Sequence, residues 1–390
     1  MIVHNSYQQP GGEDVVFSQE RELLTRAGHE VVAYCRSNWE VKSYSGVKRL
    51  ALARRAIWAE DTRRDFVELL RMQKPDLIHV HNTLVMISPS IYAACSEAGI
   101  PVVQTLHNYR LFCPASTFFR DGHICEECME HTLWRSVRYG CYRDSRATTA
   151  AVALMLAVHR ARHTWTRDIT SYITLTEFAR SKFVQGGLPA DKIFIKPNFV
   201  HPDPGSRDRC DDGDYALFVG RLSPEKRVST LLKAWGLLRN RIPLLIIGGG
   251  PQHRQLEVFS EQRGLEGINF LGSLPHDQTL AAIKRARLLI FASEWYETFG
   301  LTMVEAFACG VPVICTRLGA MQEIVDHGRT GLHFTAGDAE DLAETTQWAW
   351  NNPARMRLMG KEARQEYENK YTAEKNYPIL MSIYEKALRA

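Results

Sequence analysis

Short apolar runs rich in Val, Ile and Leu recur along this chain, and a longer stretch of helical character follows nearly every one. "MIVHN" (Met1–Asn5), "PDLIHVHN" (Pro75–Asn82) and "IPVVQTLHN" (Ile100–Asn108) lie in the front half. "YALFVG" (Tyr215–Gly220), "PLLIIGGG" (Pro243–Gly250), "INFLG" (Ile268–Gly272), "RLLIFAS" (Arg287–Ser293) and "VPVICT" (Val311–Thr316) lie in the back half. Runs of this length and composition read as strands buried on both faces, as in parallel sheets. "DVVFSQERELLTRAGHEV" (Asp14–Val31) reads as a helix feeding a strand, with a glycine stop. The alternation predicts an α/β chain with helices on both faces of its sheets.

A chain of 390 residues exceeds one ordinary core, so two domains are expected. "KPNFVHPDPGSRDRCDDGD" (Lys196–Asp214) interrupts the rhythm and reads as a linker. This places an N-terminal domain at 1–203, with a Cys-rich insertion at 113–141, and a C-terminal domain at 204–373. Residues 374–390 read as a helix packing back on the first domain. Two such domains leave a cleft edged by strand C-termini, where open α/β sheets bind ligands. Residues 1–200 carry 25 Lys+Arg against 20 Asp+Glu, and the remainder 23 against 24. The front half therefore suits an acidic partner or a membrane surface, or is simply solvated; a net charge of +4 gives no reason to expect nucleic acid. No basic flank precedes an apolar run at the N-terminus, and "AAVALMLAV" (Ala150–Val158) is too short to span a bilayer. With nine cysteines, the expectation is reduced thiols in the cytoplasm, with peripheral contact at the inner membrane face as a further possibility.

"SEWYETFGLTMVEAFACG" (Ser293–Gly310) sets Glu305 inside a helix that is apolar all round. Burying an unpaired carboxylate costs several kcal/mol, so a cation in the core or a ligand must answer it. A ribose diol suits a carboxylate that accepts two hydrogen bonds. Glu297 precedes the helix, and Phe299 and Gly300 sit at its N-terminus, where open N–H groups and the dipole favour anions. A diphosphate at the N-terminus, a sugar by Glu297 and a ribose by Glu305 together describe a sugar nucleotide. The alternative is an exposed loop glutamate and a core ion pair.

Glu297 and Glu305 match the E-x7-E motif of the large retaining glycosyltransferase family with the GT-B fold (family 4), which this chain resembles. "PGGEDVVFSQERELLTRAGHEV", "PDLIHVHN", "TLHNYR", "LFVGRLSPEKRVSTLLKAW", "LLIIGGGPQHRQLE", "INFLGSLPHDQTLAAIKRARLLIFAS" and "GLHFTAGDAEDLAE" resemble further family segments, in order along nearly the whole chain. The resemblance implies two Rossmann-like, doubly wound domains facing a central cleft. It implies a UDP- or GDP-sugar donor and a glycan, lipid-linked or small-molecule acceptor held by the front domain. Glu297 would bind donor-sugar hydroxyls, Glu305 the ribose, and Gly12, Phe299, Gly300 and Leu301 would meet the donor through the backbone. His107 would position the donor sugar. Arg221 and Lys226 would neutralise the departing diphosphate without a catalytic metal. A sugar epimerase or phosphorylase of the same fold, or a non-catalytic sugar-nucleotide or glycan binder, are the rivals.

Each remaining motif also has a plain structural reading. "GRLSPEKR" (Gly220–Arg227) could be a solvated basic loop, and Gly11–Gly12 a tight turn. "IGGGP" lacks the third glycine of a dinucleotide fingerprint, because position 253 is His. His79 and His81 share a strand face but show no third ligand, which favours structure over metal. "DDGD" (Asp211–Asp214) contains an Asp-x-Asp that holds metal in another glycosyltransferase fold class, but here it reads as solvated turn. Cys113, Cys125, Cys128 and Cys141, spaced x11, x2 and x12, could hold a structural zinc or remain buried thiols.

Overall fold

The computed structural model describes residues 1–8, 11–44, 48–206, 213–239 and 241–390. Two compact units divide the chain: Met1–Arg120, Cys125–Pro197 and Asn376–Ala390 form the first, Asp121–Ile124 and Asn198–Lys375 the second. The strands are β1 (Ile2–Ser6), β2 (Ala33–Ser37), β3 (Ile78–Val80), β4 (Val102–Thr105), β5 (Phe119–Arg120), β6 (His123–Ile124), β7 (Ser171–Thr174), β8 (Ile193–Ile195), β9 (Ala216–Val219), β10 (Leu244–Ile247), β11 (Ile268–Gly272), β12 (Leu288–Phe291), β13 (Val313–Thr316) and β14 (Gly331–Phe334). The first unit's sheet has the order β2-β1-β3-β4-β7-β8, and the second's β11-β10-β9-β12-β13-β14. Both sheets are parallel, with Ile2 opposite Ala33 and His79, and Ala216 opposite Leu244 and Leu288.

Both sheets are doubly wound. Strand order reverses between β1 and β3 in the first unit and between β9 and β12 in the second. At such a point successive crossovers leave to opposite faces, so the loops after the two strands part and open a crevice. In the second unit those loops carry Arg221, Lys226 and Glu297. Beneath them Phe218, Leu231, Trp235, Ile246 and Ile290 form one buried cluster. In the first unit Leu24, Leu77, Val103 and Ile173 pack with Leu380, Ile383 and Tyr384 of the terminal helix Ala373–Arg389.

The strands β7, β8 and β14 were not singled out by their sequence as strands. Ser171–Thr174 and Gly331–Phe334 mix polar or small residues into the run, and Ile193–Ile195 lies between Lys192 and Lys196, so no extended apolar run stands out and only the neighbouring strands define them. The expected linker is divided. Lys196 and Pro197 belong to the first unit, whereas Asn198–Ser206 is tied to the second: Val200 N–H donates to Tyr371 O (3.0 Å), and Asp203 pairs with Arg364 (2.6 Å). Asp211 and Asp212 of "DDGD" lie outside the described residues. The apolar run 150–158 lies within the helix Arg146–Ala161, where Val152, Ala153, Met155 and Leu156 are buried and Leu154 is exposed. Most of that run's large side chains serve the core. Among the described residues no helix is long and apolar enough to cross one.

Candidate active site

In the second unit, β12 ends at Phe291 and the chain loops through Ser293–Gly300 into the helix Leu301–Ala308. Gly300 caps that helix at φ 94°, a left-handed conformation, and a Cβ there would meet Met303 Cε at 2.6 Å. Only glycine turns the chain this tightly into the helix without strain. Phe299 is buried, its ring against Tyr371, so a ligand would meet its backbone; Leu301 is half-buried.

Glu297 is buried, and three donors converge on its Oε1: Lys226 Nζ, Ser293 Oγ (2.8 Å) and Trp295 Nε1 (2.7 Å). The Lys226 ammonium also lies over the rings of Phe291 (5.2 Å) and Trp295 (5.5 Å). Charge, hydrogen bonds and aromatic faces thus fix both side chains in one arrangement. The sequence pointed to each residue separately; their ion pair is a contact that only the fold supplies. Arg221, by contrast, is exposed, and among the described residues no carboxylate pairs with it.

The glycines of "IGGGP" serve this loop. Gly248 and Gly250 adopt φ 141° and 159°, and a Cβ on either would strike backbone of Gly220 or Leu222 at 1.9 and 2.4 Å. Two loops therefore lie backbone to backbone, with Leu222 N–H donating to Gly249 O (2.9 Å) and Gln252 N–H to Leu222 O (3.0 Å). They hold the strand end from which Arg221 projects.

Glu305 is 7% exposed, and burial pushes its carboxyl up to about 7. Its sole ion-pair contact among the described residues is His276 Nδ1 at 3.8 Å, on a half-exposed side chain, and no hydrogen bond from the described residues reaches it. The core cation that would have explained this glutamate is therefore not among the described residues.

In the first unit, Gly11 is extended (φ −133°) and Gly12 begins the helix Gly12–Arg26; neither makes a left-handed turn. A Cβ on Gly12 would meet nothing within 4 Å, so the protein's own packing does not demand glycine there. Next to it Glu13, which the sequence reading passed over, has a side chain only 9% exposed; burial, and then the Asp14 charge, push its carboxyl up to about 8, and Tyr7 OH donates to it (3.2 Å). The clue available was only a second acidic residue in "GGED". His107 follows β4 and lines a small cavity of about 50 Å³ with His81, Gln104, Asn108 and Arg110. Its Nε2 lies 2.9 Å from His81 Nδ1, and burial holds its pKa well below the usual histidine value.

His79 and His81 do have a third neighbour. Glu20, His79 and His81 place ligand atoms within 4.8 Å of one another, and theirs is the one such trio among the described residues. Glu20 sits on the helix Gly12–Arg26, and its sequence context did not single it out. Its Oε1 already holds the fully buried Lys196 ammonium (2.5 Å), so a cation occupies the carboxylate. Cys113, Cys125, Cys128 and Cys141 form no trio that tight, but they are mutual electrostatic neighbours. Burial raises the Cys128 thiol to about 11, helped by Cys113 and Cys141, and raises Cys141, helped by Cys113 and Cys125.

Two doubly wound units, one with a helix N-terminus beside a buried carboxyl at its switch point, place the chain among the open-sheet α/β proteins that bind ligands at their strand ends. The family model "Glycosyl transferases group 1" matches residues 205–366, and "Glycosyl transferase 4-like domain" matches 11–198. The chain belongs to this group 1, family 4-type glycosyltransferase family and has its GT-B fold. Glycogen synthase of Mycobacterium tuberculosis is 28% identical over 304 residues, 76% of this chain and 65% of that protein. O-antigen chain mannosyltransferase B of Escherichia coli is 30% identical over 220 residues, 50% of this chain and 57% of the relative. These matches span between half and two thirds of the relatives' lengths. Anabaena HepE, solved in complex with UDP and glucose, superposes with a TM-score of 0.69 at 18% identity, covering 98% of this chain and 99% of that one. Sucrose-phosphate synthase of Thermosynechococcus elongatus gives 0.70 at 18% identity, covering 100% and 98%. At such identities the likeness is one of fold.

Proposed function

We propose that this protein is a retaining glycosyltransferase that moves a hexose from a nucleoside diphosphate sugar to a glycan, lipid-linked or small-molecule acceptor. The observation that carries this reading is Glu305: a buried carboxyl without a hydrogen-bond donor among the described residues, one turn inside the helix that starts at the second unit's switch point. A ribose diol supplies the two donors that carboxylate lacks. The diphosphate lies at the helix N-terminus by Gly300, with Arg221 and Lys226 as counter-charges, and Glu297 faces the donor sugar. Uridine diphosphate or guanosine diphosphate carries the sugar; the HepE complex with UDP and glucose supports the first.

In the reaction, the bond between the anomeric carbon and the β-phosphate oxygen breaks. The acceptor hydroxyl attacks from the same face, forming the new C–O bond with the configuration kept, and its proton passes to the departing phosphate. Charge builds on the β-phosphate, and preorganised cations and backbone N–H groups stabilise it. We assign that work to Arg221, Lys226 and the N–H groups after Gly300, with no catalytic metal, and the acceptor to the first unit. We place the reaction in the cytoplasm, at or near the membrane's inner face.

Calorimetry against UDP, GDP and their hexose conjugates tests the donor, and proton NMR of the first-formed product tests the configuration. Binding of a nucleoside diphosphate and an anomer matching the donor are expected. An inverted product, or no nucleotide binding by folded protein, overturns the reading.

A further inference from the structure

Two buried polar side chains of opposite character line the small cavity beside His107. Gln104 Oε1, an acceptor, and Trp165 Nε1, a donor, have no hydrogen-bond partner among the described residues. Gln104 is 9% exposed and Trp165 6%, so bulk water does not serve either atom freely. Both belong to the first unit, and the fold sets them on different walls. Gln104 lies on β4, opposite Val80 of β3 and Tyr172 of β7. Its neighbour Val103 points to the other face of the sheet, where it packs with the terminal helix. Trp165 lies on the short helix Thr164–Arg167, which is tied to the sheet by Tyr172 OH donating to Trp165 O (2.6 Å). Met155 and Leu156, from the helix Arg146–Ala161, add an apolar wall.

A buried donor or acceptor left unpaired costs about 1–3 kcal/mol, so a fold that keeps one of each at a single cavity has a partner for them. The cavity holds about 50 Å³, room enough for water. Water can serve both atoms, and a ligand group that reproduces both bonds displaces it without loss. The surroundings select a neutral group. Among the described residues no carboxylate lines the cavity. The Arg110 guanidinium is committed to Pro114 O (3.0 Å) and Ser116 Oγ (3.3 Å) and lies over the Tyr142 ring. Burial lowers the pKa of His81 and of His107, which keeps both neutral near pH 7. An acetamido group has the three parts this lining asks for: an N–H for Gln104 Oε1, a carbonyl oxygen for Trp165 Nε1, and a methyl for Met155 and Leu156.

We propose that this cavity receives the acetamido group of an N-acetylated sugar, held between Gln104 and Trp165. That the sugar is a substrate rests on the glycosyltransferase reading; that the cavity binds it does not.

Saturation-transfer NMR of the full chain with N-acetylglucosamine and N-acetylgalactosamine tests the pocket, with glucose and galactose for comparison. In the parent the acetamido methyl should be the most strongly saturated signal, and the two plain sugars should give little. Trp165→Phe and Gln104→Leu should each weaken binding about 10-fold, the scale of one hydrogen bond lost to a buried partner. Gln104→Leu should unfold no earlier than the parent, because it removes an unpaired buried acceptor. If neither variant folds, the parent's choice between N-acetylated and plain sugars still decides. Equal saturation of both kinds of sugar, or a methyl signal unchanged in both folded variants, overturns the proposal and leaves the cavity to solvent. Calorimetry then tells which substrate carries the group. UDP-N-acetylglucosamine binding about 10-fold or more tightly than UDP-glucose in the parent, but not in Trp165→Phe, assigns it to the donor. Equal donor affinities, with the free sugar's methyl signal kept beside saturating UDP, assign it to the acceptor. A methyl contact in folded protein that binds no nucleoside diphosphate leaves the pocket standing and removes the proposed transferase. Nucleotide binding without a methyl contact removes the pocket alone.

Discussion

Glu305→Gln separates the cost of a buried carboxyl from its use. Burial moves the Glu305 pKa from 4.5 to about 7. At about 1.4 kcal/mol per unit, the folded state loses about 3 kcal/mol relative to one with a neutral side chain. The unfolded carboxyl ionises near 4.5 and the folded one near 7, so folding takes up a proton between those values. Stability therefore falls as pH rises through that window and levels off above it. The glutamine variant has no such proton to take up. Urea unfolding of ligand-free parent and variant should show the variant's advantage growing by about 2–3 kcal/mol from about pH 5 to about pH 8. Calorimetry with the nucleoside diphosphate should show the opposite preference. The parent should bind about 10-fold or more tightly than the variant above pH 7, since hydrogen bonds to a charged acceptor contribute about 1.5–3 kcal/mol. The ratio should shrink below pH 7 as the parent's carboxyl becomes protonated. A stability difference that is flat with pH would refute the account of an unanswered carboxyl. Equal nucleotide affinities in the folded proteins would refute the ribose assignment.

Arg221→Ala and Lys226→Ala should each lose about 2–4 kcal/mol of transition-state stabilisation, read as turnover in excess donor with and without magnesium. Near-normal rates, or a strict magnesium requirement in the parent, would show that the leaving group is met elsewhere. Lys226→Ala alone should also lower the melting temperature, because it strips the buried Glu297 of its cation, whereas exposed Arg221 has no such partner among the described residues. Gly300→Ala should destabilise the protein by about 1–2 kcal/mol through its left-handed φ of 94°, measured by urea unfolding; an unchanged midpoint would contradict the strained cap. We also propose that Cys113, Cys125, Cys128 and Cys141 hold a structural zinc: about one equivalent is expected by metal analysis of protein purified without chelator, and its absence would assign them as buried thiols.

The repeated pattern of apolar run and helix was legible in the sequence because parallel strands are buried on both faces and need no polar alternation. It located most strands of both sheets to within a few residues, and the paired glutamates pointed to the helix Leu301–Ala308. It passed over β7, β8 and β14, whose short runs are broken or closely flanked by polar and charged residues, as in "SYIT", "KIFIK" and "GLHF". "IGGGP" could be excluded as a dinucleotide fingerprint, yet what its glycines do became visible only when their loop lay against Gly220 and Leu222.

What the sequence determined by itself was therefore local: which segments are strands, which loops carry charge, and that Glu305 lies on an apolar helix. Only the tertiary structure decided the partners. Lys226 and Glu297 meet because β9 and β12 are neighbours at the point where strand order reverses, although 71 positions separate them. Glu20 and Lys196, neither singled out in the sequence, are buried together across 176 positions. Glu305 read as a residue that had to have a cation or a ligand, and among the described residues the fold brings it no cation closer than His276. A residue's environment is set by contacts distant in sequence, and the energy of a buried charge is almost entirely environment.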